Sequence, residues 1–95
     1  MKREHVERVL HGLAEKLASL EHERWSHWQR YMHDKGQRQP DGSLILPAEL
    51  VSRWERQVSM NYADLDENEK ESDREQVRRY LPAIALAFTD PADQP

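Results

Sequence analysis

Cysteine is absent, which excludes disulfides and thiolate metal sites. Apolar runs are short; none approaches the roughly 20 residues needed to cross a bilayer. The opening Met1-Lys2-Arg3 is followed by Glu4 and a polar helix pattern rather than the apolar core of a signal peptide. A soluble, cytoplasmic protein is expected. Positive charge is also short: 14 Lys and Arg stand against 18 Asp and Glu, a net charge of −4. Binding to a DNA or RNA backbone needs a dominant positive field and is not expected. Hydrophobic residues make up 37% and charged residues 34% of the 95 positions, so the core must be thin. A second chain is the natural way to finish the burial.

Helical periodicity is the strongest pattern present. At roughly 100° per residue, Val6, Leu13, Leu17, Leu20, Trp28 and Tyr31 fall in one stripe, with Leu10 beside them. That predicts one helix from about Lys2 to His33, weakened only by Gly12. Asp34-Lys35-Gly36 ends it, and Pro40-Asp41-Gly42 marks a turn. Ser43 to Leu46 is too short to build a sheet and reads as an extended lead-in. A second helix follows from Pro47 to about Ser59, with Leu50, Val51, Trp54 and Val58 on its apolar face. Asp66 with Glu69 three residues later starts a third. Its stripe is Val77, Leu81, Ile84 and Phe88, and Pro82 should kink it. The predicted fold is all-α: a small three-helix bundle with a long N-terminal helix, one domain over 1–89 and a disordered tail over 90–95.

Polar chemistry sits on these apolar stripes. Arg24 lies in the middle of the first and Asp73 on the third. They form either an interhelical ion pair that sets register or a phosphate site in which Asp73 orients Arg24. Trp25, Trp28 and Trp54 serve the core or a ligand; Arg53 and Arg56 beside Trp54 suit a nucleobase with its phosphate. His22, His27 and His33 lack the i, i+4 spacing of helical metal ligands, so no metal is expected. Glu69 and Asp73 could share a magnesium ion, but no second acidic pair matches them. No nucleophile motif or glycine-rich phosphate loop is present, so no enzyme and no cofactor is expected. The acidic run from Asp64 to Glu75 is a solvated helix start or a dock for a basic partner.

Two blocks carry a family resemblance. Glu21-His22-Glu23-Arg24-Trp25 resembles the E-H-x-x-W opening of the bacterial Ry domain, a small module named for its repeats in ryanodine receptors. Tyr62-Ala63-Asp64-Leu65 with Glu69 to Glu75 resembles that family's Y-x-x-L…E-K-x-x-D-R-E block, and Leu81-Pro82-Ala83-Ile84 its I-P-A-L. Between them, Gly36 to Met60 carries a loop and a tryptophan helix in place of the family's G-W-x-Y-G and H-P-x-L-V-P motifs. The chain is also similar to short phage and prophage proteins with the same Ser26-His27-Trp28 and Arg53-Trp54 arrangement. The resemblance implies a non-enzymatic Ry-like module that captures a nucleotide-derived signalling molecule, an anti-defence sponge in the host cytoplasm if phage-encoded. It carries His22, Trp25 and Arg74 over from the family motifs. The residues themselves add Trp54 and Tyr62 for stacking, Arg24 and Arg53 for phosphate, Gln57 for polar edges and Asp73 for orientation. The alternative is an adaptor that docks on a host or virion protein. Trp25, Ala14 and Met32 form a second apolar strip, so a two-fold homodimer is expected, with Arg24 and Trp25 near their symmetry mates in a shared pocket. Alternatively Ser43 to Leu46 folds back over that strip.

Overall fold

The structure, a computed structural model, describes residues 2–89. The expected tail at 90–95 lies outside them. The chain is all-α apart from one small hairpin. Its helices are α1 (Arg3–Gly12), α2 (Ala14–Lys35), α3 (Ala48–Val58) and α4 (Glu67–Ala87). A two-stranded antiparallel pair, β1 (Gln37–Arg38) and β2 (Leu44–Ile45), follows α2, and a 3-10 turn at Tyr62–Asp64 precedes α4.

The periodicity from Lys2 to His33 predicts one helix; the chain makes two. Leu13 interrupts them. Its N–H is shared between the carbonyls of Val9 and Leu10, both at 3.1 Å, so the turn tightens there. The weak helix former Gly12 sits beside this point. At the far end of α2, Gly36 is extended (φ −86°, ψ 156°) rather than left-handed. Close packing is what favours glycine there: a Cβ would lie 3.2 Å from Leu44, which would have to give by a few tenths of an ångström. Gly42 does need its freedom, with φ +93° in the hairpin turn. Asp41 Oδ1 accepts from the Ser43 amide at 2.9 Å and from its hydroxyl at 2.6 Å, which closes that turn.

The start of α4 is as its sequence predicts: Asp66 Oδ1 accepts from the Glu69 N–H at 2.8 Å. The helix then runs through Pro82 without interruption. Tyr80 reaches Glu21 and Arg79 reaches Glu23, while Asp73 and Gln76 share a cleft with Arg24 and Trp28. Rising numbers on α2 meet falling numbers on α4, so the two helices pack antiparallel. α3 joins through Trp54, whose ring meets Trp28 edge-on at 5.3 Å and 71°.

Little is enclosed by this packing. Among the described residues only Leu13, 6% exposed, is buried, and no side chain is fully enclosed. The expected α4 stripe splits: Ile84 and Phe88 are half-buried, whereas Val77 and Leu81 face outward. Tyr80 and Gln76 take the packed edge instead. The radius of gyration is 18.6 Å, against about 12 Å for a compact domain of this length.

Candidate functional site

α2, α3 and α4 enclose a cleft of about 470 Å³. Its apolar wall is aromatic. Trp28 stacks on Tyr31 (5.6 Å, 26°) and meets the edge of Trp54, so two indoles stand nearly at right angles. α3 adds Arg53 and Gln57, four residues apart and so about one turn from each other, beside Trp54. α4 contributes Ser72, Asp73 and Gln76. Arg53 and Asp73 form no ion pair among the described residues. Gln76 Oε1 is buried and accepts no hydrogen bond there. A smaller hollow of about 300 Å³ shares Gln57, Ser72 and Asp73, and extends the cleft toward Leu65 and Glu69. The Oε2 of Glu69 is likewise buried without a partner. The trough therefore combines flat aromatic faces, one unpaired guanidinium and several hydrogen-bond acceptors awaiting donors.

Arg24 lines this cleft, but its partner is Glu21 and not Asp73. Its Nε donates to Glu21 Oε2 at 3.1 Å and its Nη2 to Oε1, while the Tyr80 hydroxyl donates to Oε2 at 2.5 Å. Glu21 lies one turn back on the same helix, so this bidentate pair forms without bringing two helices into register. The interhelical Arg24–Asp73 pair expected from the stripes is therefore absent. The Arg24 guanidinium, followed by the Tyr80 hydroxyl, holds the Glu21 carboxyl down at about 2 from its ordinary 4.5. The Glu21 charge in turn raises Tyr80 and Arg24 above their usual values. A carboxyl depressed on folding stabilises the fold above its unfolded value, and that contribution is lost as pH falls through the folded one. Stability is thus expected to drop between about pH 4.5 and pH 2, and Glu21→Gln should flatten that part of an acid titration followed by circular dichroism.

Of the nine residues singled out from sequence, Arg24, Arg53, Trp54, Gln57 and Asp73 meet in the cleft. The other four lie outside it. His22 and Trp25 stack on each other (6.0 Å, 20°) on the outer side of α2. Tyr62 lies under the Lys70 ammonium, 5.9 Å from ring centre. Arg74 is held by Glu67 at 3.2 Å and Glu71 at 3.3 Å. The cleft adds His27, Tyr31, Ser72, Glu75 and Gln76, which sequence reasoning did not select. Helical spacing held a signal for three of these: His27 is three from Arg24, Tyr31 three from Trp28 and Gln76 three from Asp73.

No three His, Asp or Glu side chains among the described residues gather as a metal site requires. No described helix is long and apolar enough to cross a membrane. Comparison with models of protein families, with curated proteins and with solved structures finds no match.

Proposed function

We propose that this chain is a non-enzymatic binding module whose cleft takes a nucleotide-derived small molecule. The supporting observation is the wall made by Trp28 and Trp54 next to the unpaired Arg53, in a cleft within the 300–1,000 Å³ range typical of ligand pockets. A planar base lies against an indole face, and Arg53 meets its phosphate, with Arg24 behind it. Asp73 and the free amide oxygen of Gln76 are acceptors. They favour a base that offers N–H groups, so an amino-bearing purine fits better than a pyrimidine carbonyl edge. Gln57 reads the remaining polar edge. Sequestration of a nucleotide signal during phage infection is the biological role that the Ry-like blocks point to.

A thermal-shift screen against cyclic ADP-ribose isomers, cyclic oligonucleotides and adenine mononucleotides tests this. A ligand present at 100 times its dissociation constant adds about 2.7 kcal/mol of stability. Arg53→Ala should weaken binding by about tenfold or more, as losing a charge-assisted hydrogen bond does, and leave the unfolding midpoint of the free protein in place. The adaptor reading is favoured by one observation, the exposed apolar face of Trp25, Val77 and Leu81. No stabilisation by any compound of the panel would leave that reading in possession.

A further inference from the structure

We propose that two copies of this chain associate through the face of the α2–α4 layer opposite α3, with Trp25, Val77 and Leu81 at its centre. This inference is independent of the cleft reading.

Helical geometry defines the face. On α2, Arg24 faces α4. From Arg24, Trp25 lies about 100° round to one side and His27 about 60° round to the other. On α4, Tyr80 faces α2. From Tyr80, Val77 and Leu81 lie about 60° and 100° round one way, and Gln76 and Ser72 about 40° and 80° the other. Helices of one hand that run antiparallel turn equivalent flanks to the same side. Trp25, Val77 and Leu81 therefore share one face, and His27, Ser72 and Gln76 share the face that α3 covers as the cleft. A dimer on the Trp25 face leaves the cleft open to solvent. The pocket shared between chains that the sequence alone predicts does not follow from this arrangement.

The face is apolar and uncovered. Trp25 is 56%, Val77 53% and Leu81 52% exposed. The β2 segment does not fold back over it: Leu44 packs at Gly36 instead. The polar groups between α2 and α4 beside this face are already satisfied, because Glu21 accepts from both Arg24 and Tyr80. Covering them strands no charge. The margin carries both signs, with Arg74 and Arg78 bound to Glu67 and Glu71. Two identical margins can thus meet without net repulsion.

The chain leaves area for a second copy to cover. The chain exposes 7847 Å², whereas a compact chain of its mass exposes about 5,700 Å². The excess of about 2,100 Å² belongs to the open, elongated chain as a whole; about 800 Å² of it on this face of each copy would make an interface of standard size. A two-fold axis is the commonest way for one face to bury itself.

Light scattering on the full chain at micromolar concentration should give twice the 11.3 kDa chain mass, and the thermal midpoint should rise with protein concentration. Leu81→Glu and Trp25→Glu should each give a monomer. Glu55→Lys, on the exposed side of α3, should not. Where a glutamate variant fails to fold, Leu81→Ala decides: its monomer–dimer midpoint should move to a concentration about tenfold higher. A wild-type mass of one chain overturns the proposal. So does a dimer that both glutamate variants, or the alanine variant, leave unchanged.

Discussion

Leu13→Ala is expected to lower the free energy of unfolding by about 3 kcal/mol, as deletion of a buried leucine commonly does. Urea denaturation followed at 222 nm measures it. The effect should be large because Leu13 is the one buried side chain among the described residues. Carrying the antiparallel register two turns beyond Tyr80 sets Leu13 opposite the end of α4 near Phe88. It therefore ties the α1–α2 junction to the last turn of the chain's other long helix. Total stability of a small domain is only about 5–15 kcal/mol, and this chain has little other burial on which to fall back. Ile45→Ala makes the contrast: its side chain is mostly in solvent, so the midpoint should barely move.

Trp54→Ala should have two separable effects. It removes the edge-on contact with Trp28, the main aromatic contact that seats α3 on α2. A loss of about 2 kcal/mol is expected, the contact term added to the buried area of a half-exposed ring. It also removes a stacking surface from the cleft, and one base–aromatic stack accounts for about a tenfold to hundredfold change in affinity. Trp54→Phe separates the two. Phenylalanine keeps most of the packing, so its unfolding curve should stay near wild type, while the smaller ring should still weaken a purine ligand severalfold. If Trp54→Phe and Trp54→Ala both bind normally once folded, Trp54 only packs.

Element boundaries were legible where local chemistry decides them. Asp66 caps α4 because its carboxylate reaches the Glu69 amide, which any reader of Asp66-x-x-Glu69 would expect. The turn at Pro40-Asp41-Gly42 is legible in the same way, but the pairing of Gln37–Arg38 with Leu44–Ile45 is not, because two residues a side are too few for an alternating strand pattern. What periodicity could not decide was which flank of an amphipathic helix meets its neighbour. Val77 and Leu81 line up with Ile84 and Phe88, yet the packed edge of α4 turns toward Tyr80, where the hydroxyl finds Glu21 and Arg79 finds Glu23. The split runs along the helix and not around it: from Tyr80, Val77 at about 60° lies between Ile84 at about 40° and Phe88 at about 80°, so burial differs by what each level of α4 meets. Position around the helix is what divides the candidate site. Arg24 and Trp25 are neighbours in sequence but lie about 100° apart on the helix. One therefore entered the cleft and the other the outer face. Arg24 also chose its partner by proximity: Glu21, three residues back, was available on the same helix, and Asp73 was not. His27, Tyr31 and Gln76 sit one turn from residues that the sequence marks, but Ser72 and Glu75 carry no such signal, and helix packing alone collects them.

The interruption at Leu13 gives α1 a mechanical character. Its ten residues make a rod about 15 Å long at 1.5 Å per residue, joined to α2 where the helical hydrogen-bond ladder is disturbed. A rotation of about 20° at that joint swings the tip through about 5 Å, given the same rise per residue. Leu10 and Val6 ride on the rod, while the cleft residues begin more than two turns further along α2 and stay where they are. The position of the joint thus separates the reach of the N-terminal arm from the shape of the pocket: a substitution at Gly12 that bends the arm leaves the lining residues of the cleft where they stand.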